Sequence, residues 1–189
     1  MSAESKVPKF AELGLIGGRE KRKVNIHEYD ERWPSVFEQN AKKIRDALQG
    51  VALRIEHIGS TSVPGLAAKP VIDMLVVVAH PEDEAGYLPA LLQAGYELRV
   101  REPDFDEHRM VRTPELDVHV HIFPPQSKEI GRYLAFRNQL RSNAEDRSTY
   151  ERAKRMLAGQ DCEDMNKYAE AKIEVVEAII AKGIRAFGE

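Results

Sequence analysis

The sequence predicts an α/β (α+β) protein: a mixed β-sheet flanked by helices, followed by a C-terminal helical bundle. Three observations carry that prediction. Residues 71–78 are nearly all apolar and β-branched, the pattern of a central strand buried on both faces. Phe37, Ala41, Ile44 and Leu48 recur at helical spacing and form one stripe that can lie on a sheet. Past Pro124-Pro125 the periodicity turns helical and stays so. The chain therefore divides into a flexible tail (1–23), a sheet domain (24–125) and a helical half packed on the cleft (126–189).

The tail is mixed and polar, with a basic cluster at 19–23, and reads as frayed. Leu13, Leu15 and Ile16 are its candidates for docking on the body. Residues 24–29 alternate as a strand does, and the stretch 30–34 breaks it. Pro34 suits the first turn of a helix over 34–48. Tyr29 and Trp33 pack at the strand–helix corner. Strand 52–58 delivers His57 and then Gly59-Ser60. After strand 71–78, a helix is expected over 81–94 with Leu88, Leu91 and Leu92 inward, closed by Gly95. Residues 96–102, 108–112 and 115–123 read as strands. Their short connections, marked by Pro103-Asp104 and Thr113-Pro114, make them antiparallel neighbours. Helices follow over 127–142 and 144–158. A third, capped by Asp161, carries Tyr168, Ile173, Val176, Ile179 and Ile180.

Composition narrows the function. With 189 residues, 42% hydrophobic and 31% charged, the chain can bury a sizeable globular core. A net charge of −3 argues against broad nucleic-acid binding through a basic surface, while leaving room for a local basic pocket. The single cysteine, Cys162, rules out an internal disulfide framework and fits a reducing compartment. No apolar run reaches the length of a membrane span, and the start lacks the apolar core of a signal peptide. A cytoplasmic location is expected by elimination. Oligomeric state is left open.

The chemistry gathers around residues 55–78. Gly59 permits a sharp turn and close approach of a ligand. Ser60, Thr61 and Ser62 set hydroxyls beside backbone N–H groups, which suits a phosphate. Val63-Pro64-Gly65 fits a type II turn, and Lys69 adds a cation beside the cradle. The structural alternative is a tight turn with satisfied hydroxyls. Asp73, on the apolar strand, is costly to bury without a metal, a cation or a hydrogen bond. A second set lies on residues 117–123. Strict alternation puts Asp117, His119 and His121 on one face and the valines on the other, and His57 can join from the neighbouring strand. Imidazoles favour transition metals over magnesium, so Asp73, His57, His119 and His121 form a candidate metal set. On the helices, Arg137/Arg141, Tyr150/Lys154 and Tyr168/Lys172 are each spaced to share a face. Together they can wall a phosphate site; singly, each is ordinary solvated charge.

The run His57-Ile58-Gly59-Ser60-Thr61-Ser62-Val63-Pro64-Gly65-Leu66-Ala67-Ala68-Lys69-Pro70-Val71-Ile72-Asp73 resembles the GrpB family, small proteins of the nucleotidyltransferase fold found in DNA polymerase β and the aminoglycoside nucleotidyltransferases. Tyr29-Asp30-Glu31-Arg32-Trp33-Pro34 is similar to the family's opening motif, with Glu31 in place of its proline. Phe136-Arg137-Asn138-Gln139-Leu140-Arg141 is similar to its F-R-D-x-L-R, with Asn138 for the acid. The segments 150–154 and 168–172 match its two Y-x-x-x-K motifs, and the histidine pair matches its H-x-H. The stretch 101–109 is similar as well. Glu107 and Arg109 read there as a surface hairpin or, alternatively, as a cleft rim.

The resemblance implies a nucleotide triphosphate on Gly59, Ser60, Thr61 and Ser62, gripped by Lys69, Arg137, Arg141, Tyr150, Lys154, Tyr168 and Lys172. It implies a divalent metal, Mg or Mn with Zn as the alternative, near Asp73. The fold normally places a second carboxylate two residues on; Leu75 stands there and leaves the pattern incomplete, and Asp117, His119 or His121 could stand in for the missing acid beside Asp73. The implied reaction is transfer of a nucleotidyl group to an unknown acceptor with release of pyrophosphate. Two other readings stay open. One is non-catalytic binding of a small phosphorylated ligand or nucleotide; the family's occurrence fused behind dephospho-coenzyme A kinase points this reading to a coenzyme A-related ligand. The other is a metal-dependent hydrolase.

Overall fold

Helix α1 (Trp33–Leu48) begins where Pro34 can occupy the first turn without losing a hydrogen bond. It ends at Gln49, which turns left-handed (φ 45°) and returns its N–H to the Arg45 carbonyl. The computed structural model describes residues 14–16, 24–158 and 172–188. After α1 come β1 (Ala52–Ile58), a 3₁₀ turn (Ser60–Ser62), β2 (Ile72–Val78), a second 3₁₀ turn (Glu84–Gly86), and α2 (Leu88–Gln93). Strands β3 (Glu97–Glu102), β4 (His108–Arg112) and β5 (Val118–Phe123) follow, then helices α3 (Lys128–Ser142), α4 (Ala144–Ala158) and α5 (Ile173–Phe187).

The five strands form one mixed sheet in the order β1-β2-β5-β4-β3. Neighbours are antiparallel except β2 and β5, which run parallel with Asp73 opposite His119. Alternation on β2 and β5 divides the molecule into two layers. Met74, Val76, Val78, Val118, Val120 and Ile122 face α1 and α2, meeting Ala41, Ile44, Leu48 and Leu91. Leu75 and Phe123 face the other way with Ile58, against Ile130, Tyr133 and Leu134 of α3. Asp73, His119 and His121 share this second face. The helical half is fastened to the sheet half through Val63 and Leu66, both fully buried among Phe136, Leu140, Tyr150, Ile179 and Ile180. Gly183 of α5 makes the α3–α5 approach possible: a Cβ there would lie 2.3 Å from the Ala135 carbonyl oxygen.

Several expectations need correction. The strand over 24–29 is only one bridge, His27 with Ala68, closed by two backbone hydrogen bonds. The helix over 81–94 is reduced to a 3₁₀ turn and the six residues of α2. Pro89, which has no N–H to give, stands at the start of α2 and could not sit inside a longer helix. Leu92 points to solvent at 47% exposure. Strand β5 starts at Val118, three residues late, because Leu116 is left-handed and Thr113 closes the hairpin onto Val118. In the N-terminal stretch, Leu15 bridges Val100 of β3. Leu13, Asp161 and Tyr168 lie outside the described residues. Among the described residues no helix is long and apolar enough to cross a membrane.

Candidate functional site

Where β1 meets β2, Ile58 pairs with Asp73, and the chain leaves β1 through Gly59 at φ 68°, ψ −171°. That conformation is essentially confined to glycine. The 3₁₀ turn then seals itself. Ser62 Oγ donates to the Gly59 carbonyl at 2.6 Å, and Thr61 Oγ1 donates to the Val71 carbonyl at 3.0 Å. Both residues are buried, so of the three adjacent hydroxyls only Ser60 faces open space.

That space is a cavity of ≈ 140 Å³ lined by Gly59, Ser60, Lys69, Val71, Asp73, Tyr150, Lys154 and Lys172. It is the meeting point of the turn, β2, α4 and the residue ahead of α5. Tyr150 and Lys154 arrive together because four residues bring them to one face of α4. Ser60 Oγ donates to Tyr150 Oη at 3.3 Å, and burial pushes the Tyr150 phenol up to about 12, so it keeps its proton. Lys154 is 2% exposed. Its ammonium donates to the Ala67 carbonyl and lies 4.6 Å from the centre of the Tyr150 ring. Burial, and then the charge of Lys172, push its pKa down to about 7. Lys172 is lowered too, by burial, with Asp73 opposing. Glu151 fixes the same loop from the outside, accepting from the Ala67 N–H at 3.2 Å.

Asp73 sits at the floor. Burial raises its carboxyl, but the His119 hydrogen bond and the charges of His119, His121 and Lys69 outweigh it and hold the pKa below the usual carboxylate value. His119 Nδ1 lies 3.5 Å from Asp73 Oδ1. His121 belongs to a chain of its own: Glu102 Oε2 contacts His108 Nδ1 at 2.7 Å, and His108 Nε2 contacts His121 Nδ1 at 3.1 Å. Burial pushes the His121 imidazole down to about 3, with His108 acting in the same direction. Glu102 faces His108 across β3 and β4, while His108 and His121 are diagonal neighbours on β4 and β5. Glu102 and His108 lie in the stretch 101–109 that resembles the family, but nothing in the sequence pairs them with each other or with His121, because the register of a hairpin depends on its turn.

Other expected members lie elsewhere. His57 points to the opposite sheet face, stacked on Phe37 of α1 at 4.7 Å, with Nε2 on Thr61 Oγ1 at 3.0 Å. Burial pushes it down to about 4. Asp117 precedes β5 and accepts from Thr113 Oγ1 at 2.6 Å, near enough to Tyr96 for its charge to act on that phenol. Arg137 Nη1 binds Glu56 Oε2 at 2.7 Å and the His57 carbonyl at 3.0 Å. Arg141 grips the Ser62 carbonyl at 2.7 and 3.0 Å. These two arginines hold the backbone of the turn from outside and do not line the cavity. Arg109 pairs with Glu84 and Glu107, and is opposite Ile122, on the α1 face of the sheet.

Among the described residues the expected donors do not gather as a resident metal centre would. Leu75, at the second carboxylate position, is fully buried in apolar contact with Ile58 and Phe123. Among the described residues no three His, Cys, Asp or Glu side chains stand together as a metal would require. Among the described residues, Asp73 is the one carboxylate lining the cavity.

Comparison with known proteins places this architecture. The family model described as GrpB protein matches residues 23–182. A UPF0157 protein of Streptomyces coelicolor is 49% identical over 172 residues, covering 91% of this chain and 90% of its own. A UPF0157 protein of Halalkalibacterium halodurans is 47% identical over 159 residues, covering 84% of this chain and 82% of its own. Among solved structures, the conserved protein GrpB from Enterococcus faecalis superposes with a TM-score of 0.79 at 35% identity, covering 87% of this chain and all of that one.

Proposed function

The chain belongs to the GrpB family, and on that footing we propose that it binds a small phosphorylated ligand, whose phosphate rests against the Gly59-Ser60 turn among Lys69, Lys154 and Lys172. The observation that carries this reading is Lys154. An ammonium at 2% exposure with a depressed pKa is an unfavourable feature of the ligand-free protein. An arriving phosphate restores its charge and accepts its remaining N–H groups, so ligand binding offsets a cost already present in the fold. Tyr150, whose oxygen accepts from Ser60, keeps its own O–H as a donor. The cavity volume of ≈ 140 Å³ is below the roughly 300–1,000 Å³ of pockets that take whole ligands. It takes a phosphate group and leaves the rest of the ligand outside.

A second reading, nucleotidyl transfer, is favoured by one contact, His119 on Asp73. A magnesium ion that arrives on nucleotide phosphates needs only one or two protein carboxylates, and Asp73 supplies one. Such a cation would polarise the phosphate; this chain's part would be to fix the phosphate with its lysines and hold Asp73 in place. The two readings separate in one experiment. Titration with inorganic phosphate and with ATP, each with and without magnesium, is combined with an assay for pyrophosphate. Saturable, metal-independent phosphate binding without pyrophosphate release is the expected result. Pyrophosphate release that requires both magnesium and Asp73 would replace binding with transfer.

A further inference from the structure

We infer that the ligand carries a second phosphate group, held on the neighbouring flank of α4 by Arg147, Ser148 and Arg152. The inference rests on the phosphate reading above and extends it to the part of the ligand that the small cavity leaves outside.

Helical spacing sets two rows side by side on α4. Tyr150 and Lys154 form one and line the cavity. Arg147, Glu151 and Arg155 form the next, and with Gly65, Ser148 and Arg152 they line a groove of ≈ 310 Å³. Ala67 ties both rows to one loop: its carbonyl accepts from Lys154 on the cavity side, and its N–H donates to Glu151 Oε2 at 3.2 Å on the groove side.

The arginines of the groove differ in their partners. Arg155 pairs with Glu151 and Glu28. Arg147 and Arg152 meet no carboxylate among the described residues. Arg147 Nη1 donates to the Leu140 and Arg141 carbonyls at 3.1 and 3.4 Å. Arg152 donates to the Ser148 and Thr149 hydroxyls at 2.7 and 3.0 Å. These neutral acceptors orient the two guanidiniums without cancelling their charge, and each keeps further N–H groups to give. Ser148, accepting from Arg152, keeps its O–H as a donor. Two guanidiniums and a hydroxyl suit the three free oxygens of a terminal phosphate, one more than a carboxylate presents. Ser148 and Arg152 are exposed, so a lone phosphate there is screened by water and salt and gains little. A phosphate tethered to one already seated in the cavity meets the same groove at a far higher local concentration. The groove therefore reads the second group of a held ligand.

Calorimetric titration of the full chain with propanediol, hexanediol and decanediol bisphosphates, each against the monophosphate of the same diol, tests this. At least one bisphosphate is expected to bind tighter than its monophosphate by about tenfold or more, as one added charged hydrogen bond provides. Arg147→Gln and Arg152→Gln are each expected to shrink that ratio to about threefold or less. Arg147 also braces the end of α3, whereas Arg152 bonds within its own helix, so Arg152→Gln keeps the test open if the other variant fails to fold. Bisphosphates that gain no more than about twofold, the statistical advantage of two equivalent ends, overturn the second site and leave the cavity standing. An advantage that Arg152→Gln leaves intact does the same. Failure of every probe to bind a folded protein overturns the phosphate reading itself.

Discussion

A Cβ placed on Gly59 would stand 2.5 Å from Oδ2 of Asp73. The turn and the carboxylate therefore occupy each other's space, and glycine is the residue that permits both. Its backbone, at φ 68° and ψ −171°, excludes other residues independently of the clash. Gly59→Ala is expected to cost roughly 1–3 kcal/mol in urea unfolding from backbone strain alone. It is also expected to abolish phosphate binding, because Asp73 or Ser60 must move. A variant that binds as wild type does would show that the turn can relax without disturbing the cavity.

Asp73→Asn distinguishes binding from transfer by the sign of its effect. In a binding site the carboxylate opposes an incoming anion, so its removal strengthens phosphate binding, by about tenfold if one charged contact is at stake. In a metal-dependent transferase the same change removes the one carboxylate that the described residues give the cavity, and abolishes turnover. Phosphate titration of the variant, beside a pyrophosphate assay, reads both.

Lys154 makes stability depend on pH. The unfolded chain holds this proton to the ordinary value of 10.5, whereas the fold releases it at about 7. Between those values the unfolded chain binds more protons, so this residue's contribution to stability rises with pH across that window. Below about 7 the full cost of the buried charge applies. Lys154→Met removes the titration. Unfolding in urea from about pH 6 to 10 is expected to show the wild type gaining on the variant as pH rises. Parallel pH profiles would mean that Lys154 titrates normally.

The helical half has its own test. Gly183→Ala drives a methyl into the Ala135 carbonyl, and is expected to cost about 1–3 kcal/mol as an overpacked contact. Gly131, in α3, has no atoms near its would-be Cβ, so Gly131→Ala should instead gain about 0.5–1 kcal/mol from helix propensity. Thermal unfolding of the two variants should shift in opposite directions.

Much of this was legible in the sequence, for identifiable reasons. Period two on β2 and β5 sets Asp73, His119 and His121 on one face, and the four-residue spacing of Tyr150 and Lys154 brings both to the cavity. The same spacing misled for Arg137 and Arg141. They share a face of α3, but it abuts β1 and the turn, and backbone carbonyls took the guanidiniums first. Asp117 left the alternating pattern because the β4–β5 turn holds it through Thr113, a local bond that periodicity does not register. His57 obeyed alternation, and for that reason faces α1 rather than Asp73. The Glu102–His108–His121 chain depends on cross-strand register, which no single stretch of sequence contains.

The most direct test is calorimetric titration of inorganic phosphate into wild type and Lys154→Met, in metal-free buffer near neutral pH. Saturable one-site binding to the wild type, weakened about tenfold or more in the variant, is the predicted result. A folded wild-type protein that takes up no phosphate, or a variant that binds it equally well, would contradict the account.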